Sequence, residues 1–249
     1  MKSLIGQKQP EPVPIQPKNE LLEFGKRLHV LISPASLKSY SCTFLSGYTA
    51  GIFGELTSLS IKGKCNALNI TNPSFRDNCV FSGVQQVAKE VSKNTLKQIP
   101  TMVTTLKENP FLFGAATGLP MWAITRVFAN PVQNARKGEN QPFKGFVKSV
   151  VDDTAYYTVK NGLDEFCSAK IFPEFVPKIQ GFWQKRAFEG LVSAIVGAGC
   201  YTLTWPIKSV IAGQRFPEAL TQTAYAFPKV FVKKISYTVS RPYFVKLIQ

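Results

Sequence analysis

Apolar positions in this chain are concentrated in three runs free of charge. Sixteen uncharged residues separate Lys38 from Glu55 (SYSCTFLSGYTAGIFG), seventeen separate Glu108 from Arg126 (NPFLFGAATGLPMWAIT) and eighteen separate Glu189 from Lys208 (GLVSAIVGAGCYTLTWPI). Each is slightly short of the roughly 20 residues that carry a helix across about 30 Å of hydrocarbon. Apolar residues continue past the bounding charges, and long basic side chains can snorkel to an interface. Taken singly, each run also suits the core helix of a soluble protein. Together they predict three membrane-spanning helices. Their starts at Ser39, Asn109 and Gly190 are 70 and 81 residues apart, which points to an internal repeat.

Small residues recur within the runs. The apolar stretches end at Ser60, Pro131 and Pro206; thirteen residues earlier stand Gly47, Gly118 and Ser193, and nine earlier stand Gly51, Trp122 and Gly197. Small residues four apart let helices approach closely in lipid, where apolar transfer supplies little drive for helix association. A proline closing the run predicts a bent helix end, followed by a polar turn (PVQNARKGENQ, PIKSVIAGQ and, in the first copy, SIKGKCNALN). Second, more polar helices are then expected at about 79–105, 146–170 and 219–247. The strings TAY (154–156, 223–225) and YTV (157–159, 237–239) recur there at offsets of 69 and 80, so at most one of them marks register.

Composition narrows the chemistry. The chain has 249 residues, 30 Lys and Arg against 15 Asp and Glu, a net charge of +15, and 45% hydrophobic residues including 19 Phe. So aromatic a chain, only 18% charged, is no disordered basic tail. Its basic residues are spread through every inter-run segment, which argues against nucleic acid as a partner and suits an anionic membrane surface. His29 is the single histidine, and Cys42, Cys65, Cys79, Cys167 and Cys200 show no C-x-x-C spacing. Neither a metal centre nor a disulfide frame is expected; the cysteines read as small apolar residues. Phosphate-loop, dinucleotide and nucleophile-elbow motifs do not occur. The acidic pairs Asp152/Asp153 and Asp164/Glu165 read as solvated or interfacial faces, because adjacent helical residues diverge. No catalytic residue is nominated, and the chain is not expected to be an enzyme.

Three repeats, each with a small-residue helix, a degenerate P-x-[DE]-x-x-[KR] segment and a second helix, resemble the mitochondrial carrier family. The clearest copies are GLPMWAITRVFANPVQNAR and the span from Ser193 through PIKSVI. The resemblance implies an all-α membrane fold: six transmembrane helices around a pseudo-threefold axis in the mitochondrial inner membrane. Repeats would lie at about 39–107, 108–184 and 185–249, behind an N-terminal arm at 1–38. In the family, acidic and basic motif positions pair between repeats to close the matrix side. The acidic places here fall on Lys62, Gln133 and Lys208, and the basic ones on Cys65, Arg136 and Ile211, so only Arg136 keeps its charge and the usual gate cannot form. Opposite charges about 4 Å apart in a partly dehydrated site are worth several kcal/mol, whereas Lys62 and Lys208 would repel. On the cytoplasmic side only Tyr237, Thr238 and Arg241 approximate the [FY]-[DE]-x-x-[RK] motif, with threonine in the acid's place. Phe143, Lys144 and Gly145 match the family's cardiolipin-holding junction.

The arm divides into a proline-rich opening (QPEPVPIQPK), expected to be extended, and NELLEFGKRLHVLIS, expected to be a helix lying on a membrane or partner. Glu11 and the absence of an Arg-rich pattern argue against a cleavable presequence. The resulting expectation is a carrier-fold inner-membrane protein that no longer transports and serves as an accessory subunit of a respiratory complex. Its partners would be the bilayer, cardiolipin and other subunits, with no cofactor. The competing expectations are a divergent carrier of small anionic metabolites, suited by Arg136 and a basic cavity, and a four-span membrane protein without a threefold repeat.

Overall fold

The computed structural model describes residues 26, 29–211, 213 and 215–248, with side chains at all of these except 207, 208, 210, 211, 219, 222 and 225. The proline-rich arm expected at the N-terminus lies outside the described residues. All regular structure among the described residues is helical. Ten helices follow in order: α1 (Pro34–Ile61), α2 (Ala67–Thr71), α3 (Pro73–Leu96), α4 (Pro100–Glu108), α5 (Pro110–Ala116), α6 (Gly118–Arg136), α7 (Phe146–Phe166), α8 (Phe172–Phe175), α9 (Phe182–Ile211) and α10 (Phe216–Ile248). A π turn at Cys167–Ile171 and a 3₁₀ turn at Val176–Lys178 flank α8.

The helices α1, α3, α5 with α6, α7, α9 and α10 make one closed circuit. Each packs extensively on the next, and α10 returns to α1. Helix starts are set locally: Ser33 and Asn72 cap α1 and α3 through their side-chain oxygens, each before a proline in the first turn, which has no amide to leave unpaired. Each apolar helix is followed by a glycine in the left-handed region, Gly63, Gly138 and Gly213, with φ of 64°, 72° and 89°. This backbone costs a residue with a Cβ and ends a helix cleanly.

Two helical stretches are long and apolar enough to cross a membrane, Pro110–Arg136 (27 residues) and Phe182–Pro206 (25 residues). They hold the second and third of the predicted spans. The first, in α1, has the length but not the apolarity. The prolines do not end their helices: Pro131 and Pro206 lie inside α6 and α9. The second span instead breaks earlier, at Thr117, whose hydroxyl turns back to the Gly114 carbonyl at 2.6 Å. The more polar helices fall close to expectation, with α3 starting six residues earlier and ending before α4.

Small residues set the closest approaches. A Cβ on Gly47 would stand 2.8 Å from the Ser82 carbonyl oxygen, and one on Gly51 would stand 2.8 Å from Cys79 Cα, so α1 and α3 meet backbone to backbone. In α5 and α6 the small pair is Gly114 and Gly118, both against α7, while Trp122 is buried and donates its Nε1–H to the Ser149 carbonyl at 2.9 Å. At Gly197 the nearest atom is Lys234 Cε at 3.4 Å, so the third copy of the spacing marks a looser contact.

Polar side chains share the interior with apolar ones, and large apolar side chains stand at the surface. Buried positions include Thr43, Ser46, Ser82, Asn130, Asn134, Asp153, Lys160, Asn161 and Glu165, whereas Phe53, Leu112, Leu119, Phe128, Ile195 and Leu203 are exposed. The apolar core is small: Ala88, Met121, Trp122 and Val150, with Tyr157 and Phe146 packed against it. Cys42, Cys79, Cys167 and Cys200 are buried free thiols and Cys65 is exposed.

Candidate functional site

A cavity of about 590 Å³ occupies the interior of the circuit. Among the described residues six lysines line it: Lys62 from the end of α1, Lys89 from α3, Lys160 from α7, and Lys229, Lys233 and Lys234 from α10, with no carboxylate beside them. One wall is aromatic, with Tyr201 stacked on Trp205 (4.9 Å between centroids) and edge-on to Tyr156 (5.8 Å). Lys229 is held by Glu55 at 2.6 Å, while no ion pair or hydrogen bond engages Nζ of Lys233 among the described residues.

Behind three of these lysines, outside the cavity lining, lies a single carboxylate oxygen. Oδ2 of Asp164 receives Nζ of Lys89 at 2.7 Å, Lys160 at 3.0 Å and Lys234 at 3.1 Å, from three different helices. Its Oδ1 is buried without a hydrogen-bond partner. Lys160 precedes Asp164 by one helical turn, so α7 brings its own cation, and the other two come from its partners across the interior. The three lysines are 71 and 74 residues apart, an interval neither repeated string predicted.

Beyond these lysines lies a second, smaller hollow of about 330 Å³, sharing Gln86, Lys89 and Lys234 with the first, so the lysine–aspartate layer is a partition between the two. Further ion pairs line it. Lys93 meets Glu165 at 2.5 Å. Glu90 accepts a hydrogen bond from Ser39 Oγ at 2.5 Å and another from Thr43 Oγ1, and faces Arg241 Nη2 at 3.7 Å. Arg241 is exposed, so Glu90 is held chiefly by the two hydroxyls of α1.

The motif positions read from the sequence separate into groups. Lys62 ends α1 and faces the cavity; Cys65 is exposed in the following turn. Gln133 Oε1 accepts from Arg126 Nη1 at 3.0 Å, and the same guanidinium reaches Asp153 at 3.2 Å and lies over the Trp122 ring. Arg136 has a carboxylate after all: Asp77 on α3 stands 2.6 Å from its Nη2, and Ser74 accepts from its Nη1 at 2.7 Å. This pair staples α6 to its neighbour α3. Lys208 and Ile211 lie outside the described side chains. Tyr237 and Thr238 line the smaller hollow, and Arg241 finds its acid in Glu90, not at position 238.

The Phe143–Lys144–Gly145 junction is organised from within. Asn134 Nδ2 donates to the carbonyls of Gln141, Pro142 and Lys144, at 3.1, 2.9 and 3.0 Å, and so fixes the loop. Gly145, at φ 72°, is the N-cap residue of α7. Lys144 is paired with Glu139 at 2.7 Å and Phe143 is exposed.

The acidic pairs expected on solvated faces are instead split. Asp152 is exposed, whereas Asp153, Asp164 and Glu165 carry the interior ion pairs. Sequence reasoning missed their importance because their partners lie on other helices. The only available signal was the recurrence of Lys89, Lys160 and Lys234 at nearly constant spacing. No family model, curated protein or solved structure matches the chain.

Proposed function

We propose that this chain is a carrier-like bundle of six membrane-crossing helices in the mitochondrial inner membrane, fixed in one state and serving as an accessory subunit of a respiratory complex. The observation carrying this reading is the inequality of the two ends of the interior. One end is crossed by Asp164 with three lysines, by Lys93 with Glu165 and by Glu90 with Arg241. At the other end, Lys62 and Gln133 stand where anions would be needed, and the Arg136–Asp77 pair joins neighbouring helices only. An alternating-access cycle exchanges one closed end for the other; a bundle able to close only one end does not cycle.

The exposed apolar side chains and polar interior support a lipid setting. Two aromatic groups support it as well: Phe172 and Phe175 against Phe188, with Lys178 over Phe175, and Trp183 against Phe182 and Tyr243, with Arg186 over Phe182. Aromatic and basic residues of this kind collect at membrane–water interfaces.

Reconstitution in liposomes with a panel of labelled anions tests the proposal: no exchange above protein-free liposomes is expected, and sustained exchange overturns it. Native gels of solubilised membranes test the other half, since a free 27.6 kDa species with no larger partner would remove subunit status. A second reading, a divergent carrier of small anionic metabolites, is favoured by the six cavity lysines, and sustained exchange in the same assay would establish it.

A further inference from the structure

Lys89, Lys160 and Lys234 can be approached from two sides. All three line the large cavity, whereas Asp164 reaches them from the smaller hollow and is absent from the large cavity's walls. One carboxylate oxygen engages all three ammonium groups. Each ammonium carries three donors, so most of their donor capacity is left over, and one negative charge balances only one of three positive charges. Lys233, the residue before Lys234 on α10, also lines the large cavity and adds a cation with no ion pair among the described residues. The second Asp164 oxygen, buried and unpartnered, marks a carboxylate held by attraction to the lysines and not by a built hydrogen-bonding cradle.

We propose that Asp164 is a tethered counter-ion occupying the junction of three lysines, in competition with a small multivalent oxyanion entering through the large cavity. With the carboxylate present, the ammonium groups are drawn to it and the helices are clasped. With it neutralised, the same three lysines, now without a fixed anion, converge on a free one. Phosphate suits the geometry because its several oxygens can each accept from a different ammonium group, whereas Asp164 presents a single oxygen to all three. The site is thus self-occupied, and its capacity for a free anion is suppressed by the chain itself. This inference does not depend on whether the bundle exchanges solutes.

The test is calorimetric titration of the purified, detergent-solubilised full chain with inorganic phosphate, with chloride at equal ionic strength as the reference. D164N is expected to bind phosphate at least tenfold more tightly than the unaltered protein, and adding K160Q to D164N is expected to reverse at least tenfold of that gain. Equal or weaker binding by D164N overturns the proposal, as does a gain that K160Q leaves untouched, which would place the anion elsewhere. If D164N does not accumulate in chloride, purification in phosphate is the second measurement. Recovery of folded D164N in phosphate alone supports a vacated anion site, and equal failure in both buffers overturns it.

Discussion

Gly114 offers the sharpest test of how α5 and α6 seat on α7. A Cβ at this position would run into the Asn161 carbonyl oxygen and stand 2.7 Å from Glu165 Cβ. The first obstacle is backbone, so no rotamer change relieves it, and α5 must move away from α7. Overpacking of this kind costs about 1–3 kcal/mol, and a clash with backbone belongs at the upper end. Alanine recovers about 0.5–1 kcal/mol of helix propensity relative to glycine, leaving a net loss of about 2 kcal/mol for Gly114→Ala. At roughly 2–4 °C per kcal/mol for a chain of this size, the midpoint of thermal unfolding should fall by about 4–8 °C. Gly199 is the internal reference, because a Cβ there meets nothing within 4 Å; Gly199→Ala should keep the propensity gain and raise the midpoint slightly. Circular dichroism of both variants in one detergent measures the contrast. If G114A unfolds at or above the temperature of G199A, the close seating of α5 on α7 is wrong. The position of Glu165, on the face of α7 that meets Gly114, would then need to be reconsidered.

Three other outcomes follow from the ion pairs and thiols. Glu165→Gln strips Lys93 of its 2.5 Å partner in a site where both side chains are largely buried, so a loss of about 2 kcal/mol is expected; Lys93→Gln added to it should restore part of that loss, and strictly additive single and double variants would refute the coupling. Arg136→Ala removes the contacts to Asp77 and Ser74 and should cost about 1–2 kcal/mol, read as a lower unfolding midpoint; an unchanged midpoint would mean the staple between α6 and α3 is not formed. Maleimide applied to the native protein should modify Cys65 alone, and all five cysteines after denaturation in SDS; mass spectrometry finding rapid native labelling of Cys79 or Cys200 would contradict their burial.

The sequence carried most of the information about the apolar helices, since a missing charge over sixteen to eighteen residues leaves few places for a helix to go. It also placed the second and third polar helices to within a few residues, whereas the first starts six residues earlier and ends nine earlier than expected. It could not give their register. Lysines are frequent in every polar segment, and 233 and 234 are both Lys, so choosing the triplet 89, 160 and 234 requires knowing which face of α10 turns inward. The break at Thr117 was equally hidden, because a Gly-Ala-Ala-Thr-Gly string is compatible with an unbroken helix in lipid. The motif spacing offers Arg136 no acidic partner. Its carboxylate is Asp77, 59 residues earlier and outside any motif. The interior acids were set aside because adjacent carboxylates point apart along a helix; here that divergence sends Asp164 and Glu165 to different lysines.

The circuit of helices closes where α10 packs on α1, with Glu55 gripping Lys229, Gly54 facing Lys233 and the Cys42 thiol directed at the Phe244 carbonyl. These partners are among the most distant in the chain. At an elongation rate of about 5–20 residues per second, α1 leaves the ribosome roughly 10–30 s before its last neighbour exists. Throughout that interval Gly54 and the Glu55 carboxylate lack their covering, so the ring closes only once the last helix has been made.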